Sequence, residues 1–280
     1  MVRFSWGVCT HVGHVRAVNE DQYVVEPPVF LVADGMGGHD QGEIASGLVA
    51  DEFSALARQP SLDPDEVAAA LRRAHQSVRR AGAASAAERG MGTTLTAIVL
   101  VGDGTTPMWL IANVGDSRAY RLSDGVLKQL TVDHSLVQEL VAEGQITREQ
   151  ARTHPERNVV TRAVGIDEEV VADYVLIEPV VGERFLICSD GVHGEMADDE
   201  LLAVLRAHPD AQGAAAALIE TVLDGTARDN LTAVVVDTEA IDDDGAIRED
   251  TNPILEVALA PPEVPIAADE ASGLIEVPEW

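Results

Sequence analysis

Val29-Phe30-Leu31-Val32-Ala33-Asp34-Gly35 and Arg184-Phe185-Leu186-Ile187-Cys188-Ser189-Asp190-Gly191 are two apolar runs of strand length that each end in Asp-Gly. Runs rich in β-branched and aromatic residues, bounded by turn residues, read as buried strands. A carboxylate at the end of a buried strand is costly unless it is paired or holds a cation, and a following glycine lets the backbone approach an ion closely. Asp116-Ser117 and Asp229-Asn230 repeat the theme, the second opening the run from Leu231 to Val236. Four strand-end aspartates beside the cluster Asn19-Glu20-Asp21 point to convergence on one rim. Asp-Gly is also ordinary turn chemistry, and Asp103-Gly104 and Asp124-Gly125 read as plain turns.

Further strands are expected at 22–25, 94–101, 108–113, 118–122, 174–178 and 231–237, with Asp116 in a hairpin turn. A long helix is expected at 42–58, with Ile44, Leu48, Val49, Phe53 and Leu56 inward, and another at 64–81, with Asp63 as N-cap and Gly82 as its stop. Shorter helices fall at 136–143, 148–152, 199–206 and 211–224. Strands, two helices, a block of strands, short helices and strands again is an α+β order with mostly antiparallel sheets, not regular βαβ winding.

The 280 residues fit one catalytic domain, 1–237, followed by a tail, 238–280. The tail carries twelve Asp/Glu against the single Arg248 and five prolines. Too little apolar surface is left there to offset ordering entropy, so disorder is expected; Ile254-Leu255, Leu274-Ile275 and Trp280 are the segments able to dock. A formal net charge of −29, with Lys128 the only lysine, argues against nucleic acid or an anionic membrane as partner. Residues 1–13 lack a basic region followed by a long apolar stretch and no run reaches the roughly 18 apolar residues of a span, so a cytoplasmic protein is expected. Cys9 and Cys188 read as buried reduced thiols.

An all-oxygen donor set without Cys or His spacing favours Mg²⁺ or Mn²⁺ over Zn²⁺. Rival chemistries fail on spacing. A cysteine-dependent phosphatase needs arginine six positions after the cysteine, where this chain has Gly194 and Val15. The loop Gly35-Met36-Gly37-Gly38 lacks the endings of nucleotide-binding loops, and His11/His14 lacks the glutamate of a zinc hydrolase.

Arg16-Ala-Val-Asn19-Glu20-Asp21, Asp34-Gly-Met-Gly-Gly38, Gly92-Thr-Thr94, Val114-Gly-Asp-Ser-Arg118, Cys188-Ser-Asp-Gly191 and Asp229-Asn230, in this order, resemble the bacterial branch of the PPM (type 2C) Ser/Thr protein phosphatases. The resemblance covers residues 4 to 237. It implies a four-layer αββα sandwich of two antiparallel sheets flanked by helices, with a dinuclear Mn²⁺ or Mg²⁺ centre at one end. It further implies that Asp34 bridges both ions, that Asp190 and Asp229 complete one site, and that the Gly35 carbonyl and Glu20 complete the other. Asp116 would share a weaker third ion with Asp190. Arg16 matches the family's phosphate-binding arginine, whose planar guanidinium grips two oxygens at once. Asp21 and Asn230 stand behind the ligands, Asp21 orienting water.

The implied activity is hydrolysis of phosphoserine and phosphothreonine by a hydroxide held between the ions, whose charge lowers the pKa of water and stabilises the oxyanion. Substrates would be phosphoproteins made by cytoplasmic Ser/Thr kinases, and a monomer is expected. The alternative is a catalytically inactive phosphoprotein-binding regulator of the same fold. Met36 stands where animal members carry a candidate general acid, which leaves His39, His134 and His193 as candidate proton donors. Residues 133–163 correspond to the family's mobile flap, with Arg148, Arg152, Arg157 and Arg162 as candidates to meet a substrate.

Overall fold

A computed structural model describes residues 2–37, 41–85, 90–102 and 106–241, and the backbone of 255–256. The chain opens with β1 (Val2–His11), β2 (Asp21–Glu26), β3 (Val29–Met36), α1 (Gln41–Ala57) and α2 (Pro64–Ala84). Next come β4 (Gly92–Thr93), β5 (Leu95–Val101), β6 (Met108–Val114), β7 (Arg118–Ser123), β8 (Val126–Gln129), α3 (Leu136–Ala142) and α4 (Arg148–Arg152). The chain continues through β9 (Asp173–Ile177), β10 (Arg184–Cys188), α5 (Asp190–His193), α6 (Asp198–Ala207), α7 (Ala211–Leu223), β11 (Leu231–Ile241) and β12 (Leu255–Glu256).

The strands form a five-stranded sheet, β1-β11-β10-β7-β8, and a seven-stranded sheet, β12-β9-β6-β5-β3-β2 with β4 on β3. Every pairing is antiparallel. Alternation along the strands sends one set of side chains between the sheets and the other outward to helices. Phe30, Val32, Ile98, Trp109, Phe185, Ile187 and Val234 fill the space between sheets. Leu31, Val99 and Leu110 face Val49, Phe53 and Leu71 of α1 and α2, while Leu186 and Val235 face Leu201, Leu218 and Val222 of α6 and α7. These three apolar layers make the expected αββα sandwich.

Local signals explain most boundaries. Asp63 caps α2 in a capping box with Glu66, Pro64 occupies the first turn, and Thr147 and Gln150 form the box that starts α4. Several expectations need correction. Gly82 does not stop α2, which runs on through Ala83 to Ala84, two exposed residues of the strongest helix-forming type that outweigh the weak preference of one glycine. Ile44 is 48% exposed, so α1 buries Ala45, Val49, Phe53 and Leu56 instead. β11 continues past Asp237 to Ile241 because β1 pairs along its whole length. The segment holding Asp116 is not a hairpin: β6 pairs only with β5 and β9, while β7 pairs with β10 and β8 of the other sheet. That turn crosses between sheets. The backbone of Leu255–Glu256 pairs with β9 at Leu176 and Val175. The Asp103-Gly104 turn, His39 and the rest of the tail lie outside the described residues.

Candidate metal centre

Both sheets deliver carboxylates to the same end of the sandwich. Asp34 comes from β3 of one sheet, while Asp190 follows β10 and Asp229 precedes β11 of the other. Asp116 sits in the turn that joins the sheets. Their charges are felt mutually: the Asp34 carboxyl is raised well above its usual range, first by burial and then by Asp21, Asp190, Asp116 and Asp229. Burial, then Asp229, raises Asp190 to about 6, against a hydrogen bond shared with Asp34 and the charge of Arg16. Asp116, 6% exposed, rises to about 8 through burial, then Asp190 and Asp133. Asp34 and Asp190 retain some solvent access at the rim.

The backbone around Asp34 is fixed from two directions. Its N–H donates to Thr94 Oγ1 at 2.9 Å, its carbonyl accepts from the Thr94 N–H and from Thr93 Oγ1, each at 2.9 Å, and Thr94 Oγ1 meets Ser117 Oγ at 2.8 Å. The Gly92-Thr93-Thr94 triplet therefore ties the Asp34 strand to the Asp116 turn, a role that motif order alone did not assign. Gly35 has no room for a side chain: a Cβ would overlap the Gly42 carbonyl and stand 2.7 Å from the Glu20 carbonyl oxygen. The Glu20 carboxylate lies against Gly42, within 2.6 Å of where its Cβ would be. The Glu20 carboxylate and the Gly35 carbonyl carbon therefore lie beside the same point of Gly42.

Asn230 anchors the loop carrying Arg16 and Glu20. Its Oδ1 accepts from the Glu20 N–H at 2.9 Å, and its Nδ2 donates to the carbonyls of Val12 and Val18 at 3.0 and 2.9 Å. Arg16 Nη2 donates to Asp229 Oδ2 at 2.7 Å, with 52% of the arginine side chain exposed. Asp21 is buried, its Oδ2 accepting from Ser189 Oγ at 2.8 Å and Thr232 Oγ1 at 2.7 Å. Its Oδ1 has no protein partner. Burial outweighs those two donors, and with the charges of Asp190 and Asp229 it puts the Asp21 carboxyl at about 7. Ser189 and Thr232 are functional neighbours that the sequence did not single out; the one signal was their place beside Asp190 and Leu231.

Among the described residues no three Asp, Glu, His or Cys side chains close around one point. The donor set still fits hard divalent cations: five crowded carboxylates, the orphaned Asp21 Oδ1 and one guanidinium leave negative charge that protons or bound cations would offset.

Two candidate proton donors are otherwise engaged. His193, buried, donates from Nε2 to the Asp116 carbonyl at 2.9 Å, and burial followed by Arg118 holds its pKa well below the usual value. His134 accepts the Gly115 N–H at Nδ1. Arg118 grips Asp133 through Nε and Nη2, and Arg162 pairs with Asp173 at 3.2 Å, whereas Arg148, Arg152 and Arg157 are exposed. Burial pushes the Cys188 thiol to about 12, which removes it as a nucleophile.

The arrangement has close counterparts. The family model for protein phosphatase 2C matches residues 14–224. The serine/threonine protein phosphatase PstP of Mycobacterium tuberculosis is 41% identical over 233 residues, covering 80% of this chain and 43% of the relative. This chain thus spans less than half of that protein. The serine/threonine phosphatase stp of Listeria monocytogenes is 34% identical over 241 residues, covering 82% of this chain and 94% of the relative. The crystallised catalytic domain of PstP, in complex with two manganese ions, superposes with a TM-score of 0.77 at 35% identity, covering 86% of this chain and all of that one. With the family model matched over most of the chain and with relatives 34 and 41% identical, the chain belongs to the protein phosphatase 2C family.

Proposed function

We propose that this chain is a metal-dependent protein serine/threonine phosphatase acting on phosphoserine and phosphothreonine. The observation that carries this reading is the convergence of Asp34, Asp116, Asp190 and Asp229 from both sheets beside the half-exposed Arg16. Asp34 would contribute to two cation sites, joined by Asp190 and Asp229 at one and by Glu20 and the Gly35 carbonyl at the other. Asp116 and Asp190 would hold a weaker third. Bound there, manganese or magnesium supplies a water of lowered pKa and positive charge for the developing oxyanion.

The protein's own groups do the rest. Arg16 stands at the open rim, where its exposed guanidinium can take two oxygens of a phosphomonoester. Asp21, fixed by Ser189 and Thr232 through Oδ2, turns its free Oδ1 toward orienting a water. Screening over about 8 Å lets this local field prevail over the protein's net negative charge. The partners of this reading are phosphoproteins of cytoplasmic kinases, met by a monomer. Among the described residues no helix is long and apolar enough to cross a membrane.

The test measures phosphate release from a phosphothreonine peptide by the full chain with Mn²⁺, with Mn²⁺ plus chelator, and in Asp190→Ala. Turnover should require the ion and fall about a hundredfold or more in the variant. Chelator-insensitive turnover, or a variant close to wild type, would overturn the reading.

A further inference from the structure

The Gly115-Asp116 turn is held by two buried histidines from different elements. Gly115 carries φ +106°, and a Cβ there would stand 2.6 Å from Thr94 Cγ2, so this peptide has little freedom to relax. His134 meets it twice: the His134 N–H donates to the Gly115 carbonyl at 2.9 Å, and the Gly115 N–H donates to His134 Nδ1 at 3.1 Å. His193 donates from Nε2 to the next carbonyl, that of Asp116.

The ring of His134 is itself oriented. Nε2 lies 3.2 Å from Asp173 Oδ2 and 3.1 Å from Arg162 Nη1; because Nδ1 accepts, the ring proton of the neutral form sits on Nε2, and of these two neighbours only the carboxylate can receive it. Arg162 Nη1 holds the other oxygen, Asp173 Oδ1, at 3.2 Å. Asp173, the first residue of β9, lies opposite Asn113 of β6. Asn113 in turn donates from Nδ2 to the Gly115 carbonyl at 3.3 Å. A carboxylate, an imidazole and a backbone amide thus form one chain that ends a single residue from Asp116. Such outer partners fix the direction of a ligand and hence its affinity.

We propose that His134 is a positioning residue that, oriented by Asp173, sets the Asp116 carboxylate for the weaker third cation. The proposal rests on the reading of Asp116 and Asp190 as that site. It uses the acceptor at Nδ1, and so separates two amide substitutions. Asn places Oδ1 near the position of Nδ1 and keeps an acceptor for Gly115. Gln places its amide near Nε2, keeps a donor for Asp173 and loses that acceptor.

Mn²⁺ titration of the full chain, followed by calorimetry and by the electron-spin signal of unbound ion, reads the sites separately. His134→Gln should weaken the third site about tenfold or more while leaving the two tighter ions in place, and His134→Asn should restore most of the affinity. Asp173→Asn should give a smaller loss of the same kind. The count of tight ions reports that each variant is folded. Equal weakening by Gln and Asn, or none by either while Asp116→Ala abolishes the third ion, would overturn the role of His134 and leave the metal reading intact. A wild-type chain binding only two ions, or a third ion indifferent to Asp116→Ala, would overturn the site and this inference together.

Discussion

The ends of β3 and β10 carry the same two residues, Asp-Gly, after the same kind of apolar run, and the chain does different things with them. At β3 the strand does not end: Asp34 pairs with Asp21, Gly35 with Thr93 and Met36 with Gly92, so the carboxylate lies within a strand handed from β2 to β4. At β10 pairing stops at Cys188, and Asp190 is the first residue of the short helix α5. Neither Gly35 nor Gly191 has a positive φ. Both are glycine for lack of space, since a Cβ on Gly191 would overlap the Asn230 carbonyl just as one on Gly35 would overlap that of Gly42. At these two strand ends the shared dipeptide therefore encodes close approach of two backbones beside a carboxylate, and not a turn.

That comparison breaks most visibly if either glycine gains a methyl group. Gly191→Ala must push apart β11 and the start of α5, and Gly35→Ala must push apart β3 and α1. Overpacking against backbone costs about 3 kcal/mol, since no flexible side chain can yield. Each variant should therefore show a much lower denaturation midpoint, and lose ion-dependent turnover as Asp190 or Asp34 shifts. Near-wild-type stability in both would mean that the backbone yields to a methyl group and that space does not select glycine there.

Much of this was legible in the sequence. The aspartates, Gly35, Glu20 and Arg16 lie in short motifs whose spacing survives into the site, and the helices with capping boxes start where the caps stand. β1 is not among the expected strands although Phe4 and Val8 point to the core between the sheets, where Phe4 meets Phe30 and Trp109. Gly7 and a bulge between Arg3 and Phe4 interrupt its period. The crossover at Asp116 was read as a hairpin because local sequence states a reversal of direction but not which sheet receives the next strand. The roles of Ser189, Thr232 and the two histidines depend on partners far along the chain, and a single sequence gives no sign of such pairs.

A smaller effect follows from what the two ends share. Asp21 titrates at about 7, Asp116 at about 8 and Asp190 at about 6 in the folded protein, against roughly 4 for each in the unfolded chain. The folded state then binds more protons than the unfolded one between these values, so stability falls as pH rises through that window. With chelator present, the melting temperature should be highest near the acid end and drop by about 5 °C or more toward pH 8. Excess Mn²⁺ should remove most of the slope, and Asp190→Asn should flatten it without the ion. A flat profile in chelator would show that neither burial nor mutual repulsion raises these carboxyls.

The smallest effect comes from the Asp-Gly that is a turn. Asp124 and Gly125 have φ of 51° and 76° between β7 and β8, the left-handed pair of a two-residue hairpin, and a Cβ on Gly125 meets only the end of Arg206 at 3.6 Å. Space is available there and conformation is not. Gly125→Ala should therefore cost about 1–2 kcal/mol, the price of a left-handed alanine, with ion binding unchanged. Gly125→Asn should recover part of it, because Asn tolerates that region. At Gly191 the order must reverse, since Asn is larger than Ala and the obstacle is the Asn230 carbonyl. Measuring both pairs by chemical denaturation tests whether one dipeptide carries two physical meanings in this chain; the same Ala-to-Asn ranking at both positions would show that it carries one.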